Sequence, residues 1–330
     1  MVWQDRTTLF SNVAICGKKT PMWRKVIVLS GLIGLLGIGL TWAEKESTPP
    51  PKEKKIDPAE IEKEINSVKE ELGKDYRVEY QEPFIIAGNT DESLFTRIKD
   101  GTIKRCSAAL YQDFFKKKPD YLIKIYLFND ATCYQAYCKK TYGQKPSTPF
   151  GFYKHAEKKL IMDISTGTGT LVHEMVHALI APDFPDVPPW LNEGLGSLYE
   201  QCQIEDNGSL KGLINWRYPR LKKAINADNI VKLKDLLEMN EEKFYDKDSD
   251  LHYAEARYFC MYLQKKKVLP VFYNQFRDIR LKPRSKEKDK EDELDLSGIK
   301  TLTKLLDKPI DEIEQDWKKW AVKLEKGKDD

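Results

Sequence analysis

Histidine is scarce in this chain: 330 residues hold four, at positions 155, 173, 177 and 252. Cysteine is also scarce, with six, too few for a disulfide-dense scaffold. No cysteine pair has the spacing of a structural zinc site. Charge of one sign is missing too. Lys and Arg number 55 against 52 Asp and Glu, a formal net charge of +3, and nothing in that balance asks for nucleic acid. No internal repeat is visible, which excludes solenoids and propellers. Long apolar runs are absent except for one, so a polytopic membrane protein is excluded. With 41% hydrophobic and 32% charged residues, the composition is that of a globular chain with a densely charged surface.

The one long apolar run is VIVLSGLIGLLGIGLTWA, residues 26–43, behind Arg24 and Lys25. Two interpretations fit residues 1–43: a cleaved secretory signal, with Thr41 and Ala43 near the cut, or an uncleaved transmembrane signal anchor. Both place the remainder outside the cytoplasm, in a bacterial periplasm or at the cell surface, and the anchor would tether it to the membrane. No cysteine follows the run, so a lipoprotein anchor is unsupported. Residues 44–58, EKESTPPPKEKKIDP, read as a linker.

Beyond the linker the pattern predicts an α+β fold. Residues 59–165 form a small N-terminal mixed sheet with helices, and 166–330 form a mostly helical half, the two making a single catalytic domain. Apolar spacing predicts a helix over 56–72, ended by Gly73, and extended chain over 76–87 with a bend at Pro83. Further helices are predicted over 91–118 and 130–141. A strong strand is predicted over 121–128, and two short ones over 150–154 and 158–164 with a turn at His155–Glu157. The segment 159–165 is expected at the sheet edge, where an extended peptide could add as a strand. Helices are then predicted over 168–181, 190–203, 216–226, 229–239, 251–266, 268–279 and 309–325. The charge-dense 280–294 reads as a solvated loop.

The chemistry concentrates in HEMVH, His173–His177, set among Leu171, Val172, Met175, Val176, Leu179 and Ile180. On a helix, His173 and His177 lie one turn apart on one side, and Glu174 reaches the same cleft from the flank. Burying two imidazoles and a carboxylate without partners would cost several kcal/mol, on the order of what a divalent metal repays. The spacing fits two zinc ligands with Glu174 as general base. Sixteen residues after His177, PPWLNEG offers Glu193 as a third ligand, leaving the fourth position for water as in catalytic zinc sites. Pro188 and Pro189 start its helix, and Gly194 and Gly196 permit close approach to a neighbouring helix. Glu200 reads as a surface or pairing residue.

HEMVH followed by WLNEG resembles the gluzincins, zincin metallopeptidases whose third ligand is a glutamate on a later helix, and among them bacterial exported proteins of the thermolysin and aminopeptidase type. The resemblance spans roughly residues 76–325 and is sharp over 152–203. It implies a zincin-like metallopeptidase fold, one zinc ion held by His173, His177 and Glu193, and Glu174 as base and proton shuttle. It also implies a peptide or protein substrate. Asn192 matches the asparagine before the third ligand, and GFYKHAEKKLIMD resembles the substrate-side hairpin. Tyr253 resembles a tyrosine at the head of a later helix and is the candidate oxyanion donor, with His252 as runner-up. One departure concerns the acid that some thermolysin-like enzymes carry four residues after the third ligand: here that position is Ser197. The alternative function is a catalytically inactive, zinc-stabilised module that binds peptide, cell wall or a partner protein. Of the cysteines, Cys133 and Cys138 could pair only if their segment is not regular helix.

Overall fold

The computed structural model describes residues 56–282 and 295–328. Its sheet has five strands: β1 (Arg77–Gln81), β2 (Phe84–Gly88), β3 (Ile123–Phe128), β4 (Gly151–Lys154) and β5 (Lys159–Asp163), in the order β1-β2-β3-β5-β4. The outer pairs β1–β2 and β4–β5 are antiparallel hairpins, and β2–β3 and β3–β5 are parallel. Side chains alternate across a pleat. Phe84, Ile86, Ile123, Ile125, Leu127, Leu160 and Met162 therefore enter the large core beneath the helical half. Ile85, Ala87, Tyr126, Phe128 and Ile161 enter a second cluster on the opposite face. Both faces are covered, which explains why FIIA and IKIYLF are nearly continuous apolar runs.

Helix α1 (Pro58–Leu72) covers the second face together with α4 (Ala131–Tyr142). Asp57 caps α1 by accepting from the Ala59 N–H, and Gly73 ends it at φ 90°. On the other face, α2 (Glu92–Thr96) passes through a π-helical stretch (Arg97–Lys104) into α3 (Arg105–Asp113). Helix α5 (Gly169–Asp183) follows β5 and packs against the sheet, α6 (Pro189–Tyr199) packs on α5, and α10 (Ser249–Lys265) packs on α6. Between α6 and α10 come the hairpin β6 (Cys202–Ile204)/β7 (Leu210–Gly212) and the short helices α7 (Tyr218–Asn226), α8 (Leu233–Leu237) and α9 (Glu241–Phe244). Helices α11 (Leu269–Arg280), α12 (Ile299–Leu306) and α13 (Ile310–Ala321) close the far side of the core.

The end of α5 is held by a buried node. Asp183 Oδ1 accepts the backbone N–H groups of Lys116 and Lys117 at 2.8 and 2.7 Å, and Oδ2 accepts from Arg277 at 2.8 Å and Tyr273 at 2.9 Å. One carboxylate thus joins the segment after α3, the C-terminus of α5 and α11.

Several expectations need correction. The segment 159–165 is not at the sheet edge: β5 lies between β3 and β4, and the edge strand on that side is β4. The hairpin turn at His155–Glu157 folds β4 outside β5 and so moves the edge one strand outward. The helix predicted over 190–203 stops at Tyr199, because Cys202–Ile204 pairs with Leu210–Gly212 instead. The helix predicted over 229–239 shrinks to Leu233–Leu237, and α12 was not predicted. Cys133 and Cys138 sit five apart on regular α4, which rules out a local disulfide. The transmembrane-helix expectation is also overturned for the described chain: among the described residues no helix is long and apolar enough to cross a membrane. The run 26–43, the linker over most of 44–58 and most of the charged loop 280–294 lie outside the described residues.

Candidate metal centre

Helix α5 is apolar nearly all round. Leu171, Met175, Val176 and Leu179 are buried to within a few per cent, and the imidazoles keep only a small part of their surface exposed, 9% at His173 and 6% at His177. His173 and His177 project one turn apart, with ring centroids 4.7 Å apart and planes at 81°. The chain then turns through 184–188, and Pro189 in the first turn starts α6 back across α5. That crossing is tight at the two glycines. A Cβ on Gly196 would stand 3.1–3.2 Å from the His173 ring, and one on Gly194 would stand 2.7 Å from Cys260 Sγ and 3.0 Å from the Ala256 carbonyl on α10. Two small residues let α6 touch a ligand on one side and a core helix on the other.

Glu193 therefore reaches both histidines. Its Oε2 lies 3.3 Å from His173 Nε2 and 3.4 Å from His177 Nε2. All three side chains are buried, and one donor atom from each lies within 4.8 Å of the others. Three donors about 2.0–2.1 Å from a common tetrahedral ion stand about 3.3–3.4 Å apart, so the observed separations suit that geometry. Glu193 Oε1 accepts from the Tyr245 hydroxyl at 2.6 Å, while Oε2, equally buried, has no hydrogen-bond partner. A buried carboxylate oxygen without a donor, flanked by two imidazole Nε2 atoms, is the donor set a divalent cation completes.

The charges agree. Burial by itself would push the histidines down, but Glu193, joined at His173 by Glu200, outweighs it: His173 is raised to about 10 and His177 is raised as well. Burial pushes Glu193 up, yet the paired imidazoles hold it well below the ordinary carboxylate range. Without a cation, protons on the rings supply the positive charge that Glu193 requires. A metal must displace them.

Both rings are oriented from behind. His177 Nδ1 lies 2.9 Å from Asn192 Oδ1, which places the proton on Nδ1 and frees the Nε2 lone pair. His173 Nδ1 faces Glu200 Oε2 at 3.5 Å. Glu200 is itself held, its Oε1 accepting from Asn215 Nδ2 at 2.6 Å and Arg217 Nε at 3.2 Å. Glu200 thus fills the place that Ser197 leaves empty. It sits one turn after Gly196, on the face of α6 that receives the His173 ring, and that offset is the signal that would have found it.

Glu174 is pinned to the sheet edge: its Oε2 accepts the Tyr153 N–H of β4 at 3.1 Å. Tyr253 stands near Glu193, with the Arg217 guanidinium 5.1 Å from its ring centroid. Burial first, and then the Glu193 charge, raise the Tyr253 and Tyr245 phenols, so both stay neutral donors. Tyr245 was missed by sequence reasoning. It follows the four-residue α9, and no periodicity or motif marks it. His252 does not reach the site. It is buried, and its Nδ1 lies 3.0 Å from the Phe244 carbonyl oxygen, because neighbouring positions on a helix point in different directions. His155 is exposed in the β4–β5 turn, its ring 4.4 Å from that of Tyr153 and tilted 59° to it, where partial burial and the nearby His177 lower its pKa.

No family model matches the chain, and no curated protein matches it either. What stands is the geometry itself: a buried His173/His177/Glu193 cluster able to coordinate a metal ion, of the kind found in metallopeptidase-like sites.

Proposed function

We propose that this protein is a zinc-dependent peptide hydrolase of the gluzincin type. The observation that carries the proposal is the meeting of three features at one point: the unpartnered Glu193 Oε2, the two Nε2 atoms facing it, and a fourth side chain, Glu174, that is not in the ligand set but stands beside it. A purely structural metal site has no use for the last.

Zinc held by His173, His177 and Glu193 would lower the pKa of a water and polarise a carbonyl. The chain's own groups do the rest. Glu174, held toward the cleft by the Tyr153 N–H, takes a proton from the attacking water and returns it to the leaving amine. Tyr253 offers its hydroxyl to the oxygen on which charge develops. Asn192 and Glu200 keep both imidazoles in the orientation that binding requires. Edge strand β4, free on one side, offers backbone groups to an extended peptide. With residues 26–43 read as an export signal, the substrate is an extracytoplasmic peptide or protein.

The test is Glu174→Gln at equal zinc occupancy, assayed on a peptide library. Zinc content should match the parent, and cleavage should fall by about 10²–10⁴-fold, the usual contribution of a positioned base. Undiminished cleavage removes Glu174 as base. A parent that binds zinc and cleaves no peptide supports the binding-module alternative.

A further inference from the structure

Arg217 stands beside the metal centre with most of its donors unused. It precedes α7 and follows Trp216, and its side chain keeps only 12% of its surface exposed. A guanidinium carries five N–H donors. Here Nε donates to Glu200 Oε1 at 3.2 Å. Among the described residues the two terminal nitrogens have no hydrogen-bond partner, and neither is sealed from solvent. Two rings flank the group: its central carbon lies 4.1 Å from the Trp216 ring centroid and 5.1 Å from that of Tyr253. Trp216 is 70% exposed, so this stack lies at the surface.

Two separate routes of contact lead from Arg217 to the metal ligands. One runs through Glu200, whose Oε2 stands 3.5 Å from His173 Nδ1. The other runs through Tyr253 to Tyr245, whose ring centroids are 6.3 Å apart, and the Tyr245 hydroxyl donates to Glu193 Oε1 at 2.6 Å. A bound peptide, at about 3.3 Å per extended residue, would cover that span in a few residues. Glu200 cannot also take the terminal nitrogens. Its Oε1 already accepts from Asn215 and from Arg217 Nε, and its Oε2 is turned to His173. A guanidinium fork with free terminal donors matches a carboxylate through two parallel N–H···O bonds. Stacking on Trp216 holds the fork before any ligand arrives, so little freedom is lost on binding.

We infer that Arg217 is a substrate-recognition residue whose terminal nitrogens bind a carboxylate of the peptide within a few residues of the scissile bond. The carboxylate is either the chain terminus or an Asp or Glu side chain. The assignment rests on the peptidase reading and gives it a substrate class.

The experiment measures binding rather than cleavage, using the full chain with Glu174→Gln, loaded with zinc. Fluorescein-labelled peptides are titrated by anisotropy in three matched versions: a free C-terminus without acidic side chains, an amidated C-terminus without acidic side chains, and an amidated C-terminus with one Glu. One of the two carboxylate versions should bind about 10–100-fold more tightly than the version with none, the size of hydrogen bonds to a charged group, and which one does so identifies the source. With Arg217→Gln added, at equal zinc content, the three versions should bind about equally. Arg217→Lys, which keeps the charge and loses the fork, should weaken the carboxylate version alone. Arg220→Gln removes an exposed arginine of the same helix and should leave the preference intact. A merely structural Arg217 would lower zinc content or all three affinities together. Equal or absent binding of the three versions before Arg217 is changed, a preference that survives Arg217→Gln, or one that Arg220→Gln also abolishes would overturn the inference. Cleavage by the parent is scored separately. A parent that prefers carboxylate peptides without cutting them keeps this inference and loses the peptidase, and one that cuts all three versions equally does the reverse.

Discussion

Glu200 shows how a single side chain can matter to a metal centre without touching the ion. Its Oε2 stands behind His173 and its Oε1 is secured by Asn215 and Arg217. Burial raises its pKa, but the His173 ring beside it and the Arg217 charge more than offset this and keep it low, so it presents a carboxylate to the ring. Such an acceptor fixes the tautomer and increases the basicity of the coordinating nitrogen. Glu200→Gln keeps the shape and removes the charge. Its zinc affinity, measured by chelator competition, should drop by about 10–100-fold. An affinity equal to the parent would show that His173 needs no carboxylate behind it. Asn192 does the same for His177 with a neutral oxygen, so the two ligands are supported unequally.

At the scale of the element, α6 carries most of the site: Asn192, Glu193, Gly196 and, at its C-cap, Glu200. Its sequence is a compromise. Gly194 and Gly196 weaken a helix interior by roughly 0.5–1 kcal/mol each, yet both are required by the distance to the neighbours. Gly194→Ala would bring a methyl against Cys260 Sγ and the Ala256 carbonyl oxygen, the second being backbone that cannot step aside. The variant should lose about 1–3 kcal/mol in a denaturant titration; unchanged stability would mean that α6 and α10 are less closely packed than described. Much of this element was legible. HEMVH and WLNEG fall on consecutive helices as their periodicity predicts, and the ligand residues meet because the spacing leaves room for one turn of chain between them. What was not legible depends on contacts distant in sequence. Tyr245 donates to Glu193 from 52 positions away, and Cys202–Ile204 became a strand only because Leu210–Gly212 lies beside it. The outward placement of β4 was legible only in part: both strands and their turn were predicted, but not which of them would be the edge.

For the whole molecule, a sheet covered on both faces and a node at Asp183 and Arg277 that ties the end of α5 to α11 and to the segment after α3 fix α5 against β4. Buried charge is the cost of this arrangement away from the site. Glu255 on α10 is 0% exposed, accepts only the Val231 N–H, and leaves Oε2 without a partner. Burial pushes it up to about 8; the Val231 N–H and Lys318 pull the other way, and Glu314 adds to the rise. In the unfolded chain the same group titrates near its ordinary 4.5. The folded state therefore holds more protons between these values, and stability falls as pH rises through that window. The contribution is fully present below about 4.5 and lost above about 8. Glu255→Gln should flatten this part of the melting temperature against pH and be the more stable form at the alkaline end. Parallel curves for parent and variant would contradict the assignment.

The central claim is that His173, His177 and Glu193 hold one metal ion between two crossing helices. Zinc content per chain, measured by mass spectrometry of the metal after dialysis, tests it most directly in the parent and in His177→Ala. The account predicts one ion per chain in the parent and close to none in the folded variant. A parent that retains no zinc, or a variant that retains as much as the parent, would contradict it.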